Sequence, residues 1–343
     1  MEFDDIVSFD SLYESMLKCE RGVKWKPSTK NYSLNGVHNI LKMEKKLRNG
    51  TFRNGKPNKI KITYPKKRDG LSIPFRDRIY QRSLNDNYLY PLITKSFIYD
   101  NCACQKGKGT DFARRRIKKH LWNYYSHYGS EGYVLQIDIK GYYKNISRET
   151  AINIFKKYIE EPILSKAIDI ITVQSKADKG FFPGSQLIQL VGVSLLNPLD
   201  HFIKENLRIK HYIRYMDDLW ILGRNKDYLL LALEKIKTKL SDYGLTVHET
   251  KTKIRKLKSG FIFLGFKYNI TNTGKVIMYV LGSNVKHEIR KLKKMASKIR
   301  RGEMLLCKMA ECYESWRSHI AKGNSYKLLS RMNRFYFMEV QNA

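Results

Sequence analysis

Two adjacent aspartates, Asp217 and Asp218, interrupt a largely apolar run, Ile213-Arg214-Tyr215-Met216-Asp217-Asp218-Leu219-Trp220-Ile221-Leu222, and nothing else in the chain constrains its folding as strongly. Residues 210–222 read as strand, turn, strand, with the two acids at the turn. Carboxylates set between apolar strands repel each other and resist burial unless a cation compensates them. The plainer alternative is an exposed Asp-Asp turn of the kind any hairpin can carry. A second apolar and aromatic segment, Tyr133-Val134-Leu135-Gln136-Ile137, reads as a strand that ends in Asp138.

Composition narrows the partners. The chain carries 65 Lys and Arg against 32 Asp and Glu, a net charge of +33, and such a field attracts polyanions and releases their counterions on binding. Nucleic acid is the expected partner. No apolar run approaches the roughly 18 residues of a membrane span, and no signal sequence opens the chain, so no membrane association is expected. An apolar fraction of 42% with 23 Tyr and 15 Phe sets the chain apart from disordered sequences, which pair high charge with few aromatics. At 343 residues it has room for one sizeable core and a small appended subdomain. Its cysteines, Cys19, Cys102, Cys104, Cys307 and Cys312, are odd in number and form no Cys-x-x-Cys pair, which argues against a disulfide framework or a zinc ribbon and fits a reducing cytoplasm. Cys102 and Cys104 are expected on one face of a strand.

Residues 1–50 read as helices, with Phe9, Leu12, Met16 and Leu17 at helical spacing and a second stripe through Leu34, Val37, Ile40, Leu41 and Leu47. Lys59 to Ile73 reads as a basic hairpin turning at Asp69-Gly70. Residues 76–128 are expected to be mainly helical and basic, interrupted near Pro91 and at Lys106-Gly107-Lys108-Gly109. Helices are expected after Asp138 to about residue 172 and in Leu229 to Leu240, and a Gly/Pro-punctuated loop at 180–184 leads into the apolar run Leu187 to Leu199. Phe261 to Val280 reads as strands around Asn272-Thr273-Gly274, and beyond Gly282 the chain is helical and basic. No Asp occurs after Asp242, so a nuclease module with its own carboxylate cluster is not expected there.

Joining a nucleotide to a primer end calls for two divalent ions, and Mg²⁺ takes hard oxygen ligands, so aspartates on rigid strands are the fitting donors. Tyr215-Met216-Asp217-Asp218 inside its hydrophobic hairpin resembles the signature of reverse transcriptases. The resemblance also picks out Asp138 in Leu135-Gln136-Ile137-Asp138-Ile139-Lys140-Gly141-Tyr142-Tyr143, similar to the family's first metal-binding motif and 79 residues before Asp217. It implies an α+β fold of the right-hand polymerase type, with Asp138, Asp217 and Asp218 as catalytic and metal-binding residues for two Mg²⁺ ions, Mn²⁺ being the alternative.

Other positions follow from the same resemblance. Tyr143 falls where the family places an aromatic under the sugar that selects deoxynucleotides. Gly180-Phe181-Phe182-Pro183-Gly184-Ser185-Gln186-Leu187-Ile188-Gln189 is similar to the loop and helix supporting the template and incoming base, which nominates Gly184 and Gln189. Lys66, Lys67 and Arg68 resemble the hairpin cations that meet the triphosphate, Lys251 the lysine near the leaving pyrophosphate, and Phe263, Leu264 and Gly265 the primer grip. Each basic residue has a plainer reading as part of a solvated face. Pro183 and Ile188 depart from the family's usual residues.

The implied organisation is an N-terminal helical extension over 1–50, fingers over 51–128, a palm over 129–270 with the supporting loop 180–189, and a basic helical thumb over 271–343. The motifs resemble most closely bacterial enzymes of antiphage defence and of diversity-generating retroelements, and the departures in the loop lean toward defence. Implied partners are an RNA template, a structured non-coding RNA in particular, the DNA product and deoxynucleoside triphosphates, with a homo- or hetero-oligomer left open. Two further readings stay open: untemplated or protein-primed DNA synthesis, and a catalytically silent RNA-binding scaffold.

Overall fold

The computed structural model describes residues 3–63, 67–161, 163–174, 178–182 and 184–343, and for Arg68 the backbone alone. The chain forms two compact units, one from residues 1–113, 136–220 and 230–252 and the other from 114–135, 221–229 and 253–343.

In the first unit the chain opens with helices Asp4–Val7, Phe9–Glu20, Pro27–Leu34 and Gly36–Arg48. Leu12, Met16 and Cys19 bury the inner face of Phe9–Glu20, and Ile40, Met43 and Leu47 that of Gly36–Arg48. The expected second stripe is only partly right: Leu34, Val37 and Leu41 are 73%, 54% and 51% exposed. The inward face is instead set by Gly36, where an added Cβ would lie 2.9 Å from the end of the Met16 side chain, so this glycine lets two helices approach closely.

Strands β1 (Asn58–Ile62) and β2 (Arg68–Ser72) pair antiparallel with Ile62 opposite Arg68 and Ile60 opposite Gly70. Asp69-Gly70 therefore sits inside β2 rather than at a turn. Gly70 packs under the Ile60 and Ile62 side chains, which explains a glycine in a strand without a turn. Pro91 does not interrupt the helical segment 75–94. It lies in Tyr90–Thr94 directly after a π-helical turn at Asn85–Leu89, in which the Tyr90 amide reaches back to the Asn85 carbonyl, so the path stays helical across a residue that has no N–H to donate. Cys102 and Cys104 do not share a strand face: Cys102 is buried with its amide on the Arg214 carbonyl, whereas Cys104 is exposed in a bend with φ +53°.

The central four-stranded sheet has the order β4-β5-β3-β6, with β3 Tyr133–Asp138, β4 His211–Tyr215, β5 Asp218–Gly223 and β6 Lys253–Lys256. Its inner positions, among them Val134, Leu135, Ile137, Ile213, Leu219, Trp220 and Ile221, are almost wholly buried. The apolar run after residue 186 forms helices Gln186–Leu195 and Asn197–His201.

The second unit contains an antiparallel sheet in the order β7-β8-β9, namely Phe261–Phe263, Phe266–Ile270 and Val276–Val280. Helices Gly282–Arg300, Leu306–Ile320 and Tyr326–Gln341 enclose a core of Val285, Leu292, Met295, Ala296, Met309, Tyr313 and Met332. Asn324 clamps β9: its amide donates to the Met278 carbonyl at 2.9 Å and its side-chain oxygen accepts from the Met278 amide at 2.8 Å. Among the described residues no helix is long and apolar enough to cross a membrane.

Candidate active site

Asp138 ends β3 with a half-buried side chain, and the segment 246–252 straps that end in place. The His248 amide donates to the Asp138 carbonyl at 2.7 Å, and the Lys140 amide to the Thr246 carbonyl at 2.8 Å. The same strap delivers Lys251, whose Nζ lies 3.0 Å from Asp138 Oδ2. Both groups are partly open to water, so the pair contributes little to stability and leaves the carboxylate able to exchange partners.

Asp217 and Asp218 come from the β4–β5 hairpin, whose two-residue loop is Met216-Asp217. Met216 has φ +56°, a conformation that costs an L-residue about 1–2 kcal/mol, so something must hold the loop. Arg214 does. It is wholly buried, as is Asp200, and the two form a two-pronged pair with Nε–Oδ1 at 2.7 Å and Nη2–Oδ2 at 2.6 Å. The remaining guanidinium donors reach the Met216 carbonyl at 3.0 Å and the Val193 carbonyl at 2.9 Å, and Tyr212 donates to Asp200 at 2.6 Å. Burial pulls the Arg214 pKa down, but Asp200, by charge and hydrogen bond, together with Tyr212 and Tyr142 raises it further, so the guanidinium stays charged.

These elements converge on one cavity of about 810 Å³ within the first unit. Its acids are Asp138, Asp217, Asp218 and Asp69; its cations are Lys61, Lys67, Lys144 and Lys251; Tyr142, Tyr143, Phe181 and Phe182 supply aromatic wall. Burial pushes the Tyr143 hydroxyl well above the ordinary phenol range, with Cys104 and Asp217 adding to the effect, so it stays protonated. The Phe181 amide donates to the Tyr143 carbonyl at 2.8 Å and the Gly180 amide to the Ile146 carbonyl at 2.9 Å, which ties the segment before the supporting helix to the chain after β3.

Of the positions nominated from sequence, Asp138, Asp217, Asp218, Lys67, Tyr143 and Lys251 line this cavity. Gly184 and Gln189 are not among its described lining residues. Gly184 has φ +146°, and a Cβ there would lie 2.9 Å from the Leu71 carbonyl, so it seats the loop against β2; Gln189 is exposed on the helix Gln186–Leu195. Lys66, Pro183 and the Arg68 side chain lie outside the described residues. Phe263, Leu264 and Gly265 form the end of β7 and the β7–β8 turn in the second unit, where Leu264 and Gly265 both have positive φ. The Arg214–Asp200 pair was missed. A basic residue inside a strand of apolar neighbours was its available signal, because such a charge demands a buried acid.

Among the described residues no group of three or more His, Cys, Asp and Glu side chains is arranged as a metal cluster. The donor chemistry nonetheless fits a hard divalent cation: the three carboxylates, two at strand ends and Asp217 in the hairpin turn, line one cavity and offer only oxygen ligands.

A sheet carrying an acidic hairpin and an acidic strand end, flanked by helices and a basic hairpin, defines an α+β polymerase fold. The chain matches the family described as Reverse transcriptase (RNA-dependent DNA polymerase) over residues 65–268, more than half its length, and belongs to that family. Among solved structures it is similar to apo telomerase from Candida tropicalis truncated from the C-terminal domain, with 17% identity and a TM-score of 0.47 over 66% of this chain and 55% of that one. It is also similar to telomerase from Candida albicans in complex with the TWJ fragment of telomeric RNA, with 11% identity and a TM-score of 0.48 over 89% of this chain and 64% of that one. This chain thus spans less than two thirds of either structure. No curated protein matches it.

Proposed function

We propose that this chain is an RNA-directed DNA polymerase whose catalytic carboxylates are Asp138, Asp217 and Asp218. The observation that carries the proposal is the convergence of these three acids, from a strand end and a hairpin turn, on one cavity that also holds Lys67, Lys251 and Tyr143. The three aspartates would hold Mg²⁺, or Mn²⁺ in its place, which supplies activation of the primer 3′-hydroxyl and neutralisation of the triphosphate when bound.

The chain's own side chains do the rest. Lys67 and Lys251 meet phosphate charge as it moves from the incoming triphosphate to pyrophosphate, and Lys251 exchanges Asp138 for that anion. The protonated Tyr143 ring forms an apolar floor under the sugar, where a 2′-hydroxyl would clash. Leu264 and Gly265 present the β7–β8 turn as a primer grip, and the basic helices after Gly282 act as a thumb along the phosphates. In this reading residues 51–128 are fingers and 129–270 palm.

The template is RNA, with a structured non-coding RNA as partner and a cytoplasmic setting. The motifs support a bacterial antiphage role, and the departures Pro183 and Ile188 favour it over mutagenesis in a diversity-generating retroelement.

The test is to purify the protein with its retained RNA, supply Mg²⁺ and labelled deoxynucleotides, and sequence the product. The native protein should make DNA complementary to that RNA. Asp217→Asn should lose nucleotide addition while RNA binding persists, and synthesis retained in that variant would remove the site assignment.

A further inference from the structure

Helix Gln186–Leu195 carries a glycine, Gly192, in its buried interior. A mid-helix glycine costs about 0.8–1 kcal/mol relative to alanine, and Gly192 does not adopt a positive φ that would require it. The reason lies in what faces it. A Cβ at position 192 would stand 2.7 Å from the Tyr143 hydroxyl oxygen and 2.9 and 3.0 Å from Cε1 and Cζ of the same ring. Tyr142 docks on the same residue, donating its hydroxyl to the Gly192 carbonyl, and the two rings meet edge to face with centroids 5.4 Å apart.

We propose that Gly192 is a positioning residue that sets how deeply the Tyr143 ring recedes from the cavity, and thereby the room left for the sugar of the incoming nucleotide. This rests on the assignment of Tyr143 as the floor beneath that sugar. Tyr143 lines the cavity and Gly192 lies behind it, outside the described lining. The Tyr143 backbone is tethered to Phe181, so a side chain at 192 is accommodated by swinging the rigid ring forward. The ring then occupies space that a deoxyribose needs.

The experiment is a double-mutant cycle on the full chain with its RNA, reading KM and kcat for deoxynucleotides, the ratio of deoxy- to ribonucleotide incorporation, and thermal melting. Gly192→Ala is expected to raise the deoxynucleotide KM by at least about tenfold, the scale of one misplaced methyl in a substrate pocket, with a smaller change in kcat. In the Tyr143→Ala background the same substitution should change KM less than about twofold, because the ring it displaces is gone. If Gly192→Ala alone does not fold, recovery of folding in the double variant, with a deoxynucleotide KM within about twofold of that of Tyr143→Ala alone, carries the same conclusion. An equal loss in both backgrounds, a failure to fold in both, or an unchanged KM overturns the proposal. If Tyr143→Ala leaves the deoxy-to-ribo ratio unchanged, the sugar-floor reading itself falls, whatever Gly192 does.

Discussion

Arg214 and Asp200 show how much of the candidate site depends on residues that never reach the cavity. Their pair is fully desolvated, so removing one member leaves an uncompensated charge in the core. Arg214→Met or Asp200→Leu alone should each cost about 3–5 kcal/mol, measured by urea unfolding, while the double apolar replacement should recover most of that loss. The double variant still lacks the donor to the Met216 carbonyl, and it should therefore fold yet add nucleotides more slowly than the native chain. At this scale the sequence is legible where chemistry is local. Asp138, Asp217 and Asp218 stand out because apolar neighbours within a few positions make a carboxylate conspicuous. Asp200 does not, since its partner lies on another element and any acid at the end of an apolar helix looks like a solvated one. Gly192 is silent for a similar reason, since it answers to the Tyr143 ring far away in the chain, while Gly184 is conspicuous in its loop but answers to the Leu71 carbonyl.

At the scale of elements, the hairpins and helices were readable and their faces less so. Leu34, Val37 and Leu41 obey helical spacing but stay exposed, because Gly36 permits a closer approach on the side where Ile40, Met43 and Leu47 pack. Asp69-Gly70 carries a turn signal that the Ile60 and Ile62 side chains overrule from the facing strand. Helix Gly282–Arg300 holds a different conflict, a buried Glu288 within its apolar face. Burial raises the Glu288 carboxyl above its ordinary value, with Lys291 beside it pulling the other way. The folded state therefore holds this proton more tightly than the unfolded chain. The group's stabilising contribution is full below its unfolded pKa and is lost as pH rises through the raised folded value. Glu288→Gln removes that titration. It should raise the melting temperature near neutral pH more than at about pH 4, and equal shifts at both would show that the carboxylate bears no burial cost.

Charge is the property of the whole molecule most directly given by its sequence, because it adds without regard to folding, whereas the two compact units draw on segments far apart in the chain and cannot be read from linear boundaries. The fold decides where the excess of +33 can be used. On helix Gly282–Arg300 the buried side chains Val285, Leu292, Met295 and Ala296 leave Lys286, Arg290, Lys293 and Lys294 exposed along one face, at the i, i+4, i+7 and i+8 spacing of a single helical stripe. A cationic stripe that tracks phosphates releases about one counterion for each phosphate it neutralises, so it is detected by the salt dependence of binding rather than by affinity at one salt concentration. Replacing these four residues with glutamine should weaken RNA binding at low salt and reduce the slope of log affinity against log salt by up to about four, roughly one for each phosphate left without its cation. The deoxynucleotide KM should hold, because none of the four lines the cavity around Asp138 and Asp217. An unchanged slope with weakened catalysis would reverse the assignment: the stripe would then be a solvated face, and the field that draws nucleic acid to this chain would come from its other lysines and arginines.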